Sequence, residues 1–265
     1  MRAPLLAIIA VAASAQSFDS ASVAPNRIGT GRGDFLVGGG HLAITNFTLR
    51  SLIQWAYQVR DFQVTGGPSW LDFDKFDVTA SARAYVEPAR MRELLQGLLA
   101  DRFGLAVHRE TKAGKVYVLT VEKGAHRLPE VAVTGDPSGI RLHPSRIGVE
   151  LVGHDTDTAR LAAVLTGILR RQVLDQTGLH ENIDFRIEWT PDPGPFYVSP
   201  SGPDDPLPID APFSVSATDP VHMNGWGPTI FQVLSRHLGL KLDSRKAPVE
   251  ILSVDRVQRL RPANE

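Results

Sequence analysis

The chain has 265 residues, 43% hydrophobic and 22% charged, with a formal net charge of −1 and no cysteine. That composition fits a folded globular protein long enough for one large core or two small ones, and it leaves no disulfide and no thiol nucleophile. With no basic run longer than Arg170-Arg171, it also argues against the electropositive face that nucleic acid requires.

Residues 1–15 read as an export leader. Arg2 supplies the positive start, Leu5–Val11 the apolar centre and Ala13-Ser14-Ala15 a small-x-small cleavage site. The apolar run is shorter than the roughly 20 residues needed to cross a bilayer, and without Cys there is no lipoprotein anchor. The expectation is an exported protein, periplasmic or extracellular, with no membrane span after leader cleavage. Phe18–Val23 alternates as a first strand, stopped by Pro25. Gly29–Gly40 reads as a glycine-rich loop. Its Gly29-x-Gly31-x-Gly33 spacing lacks the flanking strand and helix of a dinucleotide site, and Arg32-Gly33-Asp34 is too short to specify adhesion.

After a strand at His41–Thr45, the stretch Asn46–Ala80 is the best marked in the chain. Thr48 or Asn46 caps a helix whose Leu49, Leu52, Ile53, Ala56 and Tyr57 form one apolar stripe. Trp55 falls off that stripe and reads as an exposed aromatic. Phe62 and Val64 predict a short strand, broken by Gly66-Gly67-Pro68; Phe76, Val78 and Ala80 predict another with one buried face. Met91, Leu94, Leu95, Leu98 and Leu99 stripe a second helix that begins at Pro88 and ends at Gly104. Leu105–Thr111 and Lys115–Glu122 predict a hairpin around Lys112-Ala113-Gly114. Pro129–Gly139 reads as a linker.

The second half repeats the programme. A strand over Arg146–Val152, caps at His154–Thr158, a stripe of Leu161, Val164, Leu165 and Ile168, a short Gln172–Leu174 strand and an alternating Phe185, Ile187, Trp189 follow in order. A Pro-rich loop covers 191–217. Then Ile230, Val233, Leu234 and Leu238 form a helix closed by Gly239, and Leu240–Asp243 with Val249–Val257 predict a closing hairpin. A shift of 109 carries Leu52 to Leu161 and Val64 to Val173; after the Pro-rich loop the shift becomes 135, carrying Leu99 to Leu234 and Val116 to Ile251. The fold class is therefore α+β: two repeated β-α-β-β-α-β-β units, a mainly antiparallel sheet and helices on one face. The units span 16–128 and 140–265 with the linker 129–139 between them, and either two lobes or one shared sheet fits the pattern.

Chemistry is sparse. There is no G-x-S-x-G, S-x-x-K or H-E-x-x-H, and no two histidines stand four apart on one helix. His154 with Asp155 and Asp157 could ligate a metal, but those acids sit where a helix start wants a cap. His108 and Glu110 share a strand face and are the nearest thing to a general acid/base pair, which keeps a secreted hydrolase as the alternative; an exposed charged face explains them as well. Aromatics crowd one window, with Trp55, Tyr57, Trp70, Phe73 and Phe76 all inside it, and Trp226 is flanked by glycine. Trp70 either plugs the gap between helix and sheet or offers a flat surface to a ligand.

Several runs together carry a resemblance: Thr45–Leu49, Gly66–Leu71, Phe76-Asp77-Val78, Leu98–Leu105, His108–Thr111, Asp175–Leu179 and Glu188–Pro191. The chain resembles a family of uncharacterised exported proteins, a domain of unknown function expanded in soil Acidobacteria and sometimes fused to membrane metallopeptidases of the beta-lactam-sensor type. A departure from the family's pattern lies before Val116, where Lys115 stands. Such membership implies an extracytoplasmic sensing or interaction role and brings no cofactor, metal or catalytic residue. In element order alone, the opening unit is also similar to the small protein-contact domain at the N-terminus of secretins and TonB-dependent receptors. The expected function is non-catalytic binding of another extracytoplasmic protein or a small ligand. The residues nominated for contact are Gly66, Gly67, Pro68, Trp70 and Trp55, because the glycine turn has no counterpart in the second half.

Overall fold

A computed structural model describes residues 17–27, 33–123, 138–145, 147–191 and 227–260. The residues read as a leader, most of the expected 129–139 linker, nearly all of the expected 191–217 loop and Trp226 lie outside these residues. The described chain is mixed α+β, with four α-helices and eleven strands that pair mainly antiparallel.

The first sheet, in order β1-β5-β3-β2, comprises β1 (Ser20–Pro25), β2 (Asp34–Gly38), β3 (His41–Thr48) and β5 (Lys75–Ser81). A bulge in β3 between Ile44 and Phe47 places Asn46 at φ 63°, the left-handed region that Asn tolerates. Strand β2 corrects the reading of Gly29–Gly40 as loop. Gly39 and Gly40, both at positive φ, turn β2 into β3, so the glycines at the end of the run punctuate a hairpin. Helix α1 (Leu49–Tyr57) starts where Thr48 accepts from the Ser51 backbone N–H. Helix α2 (Pro88–Phe103) has Pro88 in its first turn and Gly104 at φ 57° closing it. Both termini follow the sequence signals.

The third sheet, β10-β8-β7, is the second half's smaller counterpart, built from β7 (Gly139–Pro144), β8 (Val149–Thr156) and β10 (Ile183–Trp189). Strand β7 opens at the last residue of the expected linker and pairs antiparallel with β8. Helix α3 (Thr158–Leu169) is capped by Asp157, and α4 (Ile230–Leu238) by a reciprocal box between Thr229 and Gln232.

Between these layers lies a sheet in the order β4-β11-β6-β9, and here the structure overturns both expected hairpins. Ala106–Val121 is one continuous strand, β6, and Leu240–Arg256 is another, β11; they pair with each other along their whole lengths. Neither nominal turn is used. Gly114 keeps extended backbone, and a Cβ there would come within 2.9 Å of Val249 Cγ2. Pro248 sits opposite Ala113, where β11 pairs with β6 alone, since β4 covers only Leu252–Val254. Proline, lacking an N–H, is tolerated at such an open flank. The turn chemistry of Lys112-Ala113-Gly114 was misleading because a strand partner 135 positions away outcompetes a local one. Each half thus ends in one strand after its last helix, not the two of the β-α-β-β-α-β-β reading. The two short edge strands, β4 (Val64–Gly66) and β9 (Val173–Asp175), add in parallel to β11 and β6. Phe62, expected on a strand, belongs to a 3-10 turn, Asp61–Gln63.

Two large buried clusters result, beside a small one of Val116, Val118 and Val249 on the β6–β11 ladder. The first joins α1, α2 and the first sheet through Leu52, Ile53, Leu95, Leu99, Phe103, Phe76 and Val78, and it is closed by Leu252 and Val254 from the far end of the chain. The second joins α3, α4 and the third sheet through Leu161, Leu165, Leu234, Phe185 and Trp189, and it includes Leu119 from β6. Each half supplies strand residues to the other's core. Among the described residues no helix is long and apolar enough to cross a membrane.

Candidate functional site

The glycine turn nominated from sequence is built around close backbone approach. Gly66 and Gly67 adopt φ 78° and 76°, where a side chain is strained. A Cβ on Gly66 would lie 2.9 Å from the Val254 carbonyl oxygen, and one on Gly67 would strike the Leu71 side chain. The turn lets β4 leave the edge of β11 after three residues. Pro68 then opens a 3-10 turn, Ser69–Asp72, with the Leu71 N–H bonded to its carbonyl at 3.1 Å. Leu71 is buried, and Arg50 of α1 reaches across to Asp72 and donates to the Val64 carbonyl at 3.0 Å.

The five aromatics of this window divide cleanly. Trp55 is 2% exposed, so the exposed-aromatic expectation fails. Its ring meets Phe35 of β2 edge-on at 5.1 Å, and the Arg92 guanidinium of α2 lies 5.7 Å from its centroid. The apolar-stripe rule assumes one covered face; here α2 and the unforeseen β2 cover a second one. Phe76 is buried against Phe103 at 5.0 Å. Tyr57 is half-buried, and burial raises its phenol above the usual value of 10.0, with the nearby Arg109 charge partly opposing. Trp70 is half-buried and packs onto the first core, with the Arg259 guanidinium 5.6 Å from its ring. Phe73 alone stands out, at 76% exposed.

Phe73 flanks an open cleft of about 400 Å³ lined also by Pro25, Asn26, Asp74, Lys75, Phe76, Arg259 and Leu260. Arg259 bridges turn and cleft, lying over Trp70 while pairing with Asp74 at 3.2 Å. A second groove, also about 400 Å³, lies between the Asp61–Gln63 turn and α3. Arg60, Phe62 and Gln63 line it on one side, and Ala162, Ala163, Thr166 and Gln172–Asp175 on the other. Nothing in the local sequence announced either cavity, because each forms where segments far apart in the chain meet.

The polar candidates do not converge. His108 pairs with Asp255 at 2.8 Å and Glu110 with Lys112 at 2.7 Å, with partly exposed side chains along the β6–β11 ladder. His154 contacts Asp184 at 3.2 Å, while Asp157 accepts from the Arg160 N–H at 2.7 Å. The acids beside His154 are therefore turned to capping and loop contacts, and Asp155 bonds Asn182. No group of three His, Asp or Glu among the described residues is placed to hold a metal.

Residues 50–257, well over half the chain, match the model of a family described as "Protein of unknown function (DUF3738)". No curated protein and no solved structure matches.

Proposed function

The chain belongs to this family of proteins of unknown function, and from that premise we propose an exported, non-catalytic module that binds another extracytoplasmic protein through the Phe73 cleft. The carrying observation is Phe73 itself. A phenylalanine three-quarters exposed at the mouth of a ligand-sized cleft, beside the cations Lys75 and Arg259, is the anatomy of an anchoring contact. The fitting partner segment has an apolar side chain for the cleft and a carboxylate for Lys75. Export rests on the leader-like residues 1–15, and the occurrence of related domains beside membrane metallopeptidases would place such a partner at the cell envelope.

In this reading the halves are two copies of one unit sharing the central sheet. Register supports it. A shift of 109 carries β4 residue Val64 to β9 residue Val173, and a shift of 135 carries Tyr117 to Leu252; Val64 pairs with Leu252 and Val173 with Tyr117.

The test is capture from a periplasmic extract by the immobilised chain, comparing the native protein with Phe73→Ala and Lys75→Ala. Loss of the same specific partner in both variants, with thermal stability unchanged, supports the reading. Retention of every captured protein by Phe73→Ala would sink it. Export is tested separately, by N-terminal sequencing of the mature protein: a first residue of Gln16 is expected, and an intact Met1 refutes a cleaved leader.

A further inference from the structure

The cations of the β6–β11 ladder are not spread evenly. Lys115 of β6 stands directly opposite Lys246 of β11 in the antiparallel register, and both are exposed. Opposed residues share a face with Cβ atoms about 4.5–5.5 Å apart, and like charges placed so are destabilising. A third cation joins them. Val173 of β9 pairs in parallel with Tyr117, so two residues earlier the same register brings Arg171 level with Lys115. The Arg171 guanidinium lies 4.8 Å from the Tyr117 ring centroid, and Tyr117 shares its face with Lys115, two residues before it. Arg171, Lys115 and Lys246 therefore form a row of three cations across three adjacent segments.

No acid offsets this row. Among the described residues none of the three cations has a carboxylate partner: Asp243 is paired with Lys241 at 2.9 Å, Glu250 with Arg109 and Asp61 with Arg170. Nor does the fold demand the row. At the first end β4 pairs with β11 in the equivalent way, and the shifts of 109 and 135 make Phe62, Glu250 and Thr111 the equivalent row. It carries one charge, which Arg109 neutralises. Lysines on a ribbon with free flanks do keep other strands away. That role is filled without setting two of them face to face, and it gives no reason for Arg171, which comes from the segment before β9.

We propose that this row binds a phosphate group, held between Lys115 and Lys246 and clasped by Arg171. Two compact ammonium charges and one planar guanidinium fork suit a tetrahedral dianion. The bound phosphate offsets the mutual repulsion of the lysines, so the filled site stabilises the folded chain. A soluble phosphomonoester and a phosphatidic acid headgroup present the same chemistry to it. The site shares no residue with the Phe73 cleft.

The experiment measures two kinds of binding to the full chain. Inorganic pyrophosphate is titrated by calorimetry, and phosphatidylcholine vesicles with and without phosphatidic acid are tested by co-sedimentation. Lys246→Ala and Arg171→Ala are each expected to weaken binding about fivefold, the worth of one exposed ion pair. Arg245→Ala removes the neighbouring charge from the opposite face and should change affinity by less than about twofold. Lys115→Glu should abolish binding while raising the thermal midpoint, because it turns a like-charged pair into an opposite-charged one; that rise separates loss of the site from loss of the fold. Pyrophosphate binding alone assigns the site to soluble phosphates, whereas sedimentation with phosphatidic acid that Lys246→Ala weakens assigns it to a headgroup. Binding of neither probe, equal losses from Arg245→Ala and Lys246→Ala, or native affinity in Lys115→Glu each overturns the proposal.

Discussion

The two ends of the central sheet carry the same order of parts, helix, edge strand, turn and strand, but each is finished differently. At the first end the turn after the edge strand is made by backbone, with Gly66 and Gly67 at positive φ against Val254. At the second a glycine at positive φ, Gly178, is joined by a side chain: Asp175 accepts from the Thr158 hydroxyl at 2.7 Å, from the Thr177 N–H at 2.9 Å and from the Thr177 hydroxyl at 2.8 Å. One carboxylate thereby ties the start of α3 to the turn that follows β9. The first end is packed to its edge around Trp55, while the second keeps a groove against α3. A shared backbone plan tolerates both solutions, each fixed by its own residues.

Packing gives the sharpest break between the ends. Trp55→Ala should lower stability by about 3–5 kcal/mol, the usual loss for emptying a large aromatic site. At the corresponding position in α3, Val164 is only half-buried, and Val164→Ala should lose about 1 kcal/mol or less. Urea unfolding of the two variants measures the contrast; losses of similar size would mean that the first end is no better filled than the second.

The two turns should respond to opposite chemistry. Gly66→Ala forces a side chain into the left-handed region beside a carbonyl and is expected to be destabilising by about 1–2 kcal/mol or more. Asp175→Ala leaves the Thr158 hydroxyl and the Thr177 N–H without their acceptor, a loss of about 1–2 kcal/mol. Asp175→Asn, which keeps one acceptor oxygen, should recover part of it, whereas no polar substitution at Gly66 should. A fully restored Gly66→Asn would show that the turn needs positive φ but not the missing Cβ. The link between the ends should be weaker still. Asp61 of the first end pairs with Arg170 of the second across the exposed middle of the molecule, and Asp61→Ala should lose under about 1 kcal/mol, less at high salt.

How far the sequence disclosed this arrangement depended on range. Thr48, Asp157, Gly104 and Gly239 act within a few residues of themselves, and each caps the helix that its spacing predicts. Periodicity likewise picked out Leu161 with Leu165, and Phe185 with Ile187, as buried. Pairing across the chain was not readable. Lys112-Ala113-Gly114 carries turn residues yet lies in mid-strand because Val249 and Pro248 come from the other half. Trp55 was misjudged for the same reason, since Phe35 and Arg92 reach it from elements 20 and 37 positions away. The Phe73 cleft and the α3 groove were invisible, being spaces between distant segments. Strand alternation did mark Phe76 as buried, but nothing in the sequence marked Phe73 as the exposed aromatic of the window.

The smallest difference between the ends is a titration. Tyr57 lies in α1 where α3 has Thr166, so only the first end contains a phenol at this place. Burial favours the neutral ring, and its folded-state pKa is raised above 10.0, Arg109 partly offsetting the shift. The unfolded chain has no such bias, so above pH 10 it releases the Tyr57 proton first, and the folded state is then the one holding more protons. Stability from this residue is accordingly present in full below pH 10 and is lost as the pH rises through the folded-state value. Tyr57→Phe should flatten that alkaline decline, and Arg109→Met, by removing the opposing charge, should steepen it. Unfolding free energies measured from pH 8 to 11 test both. A decline unchanged by Tyr57→Phe would place the alkaline sensitivity elsewhere and leave the two ends electrostatically alike.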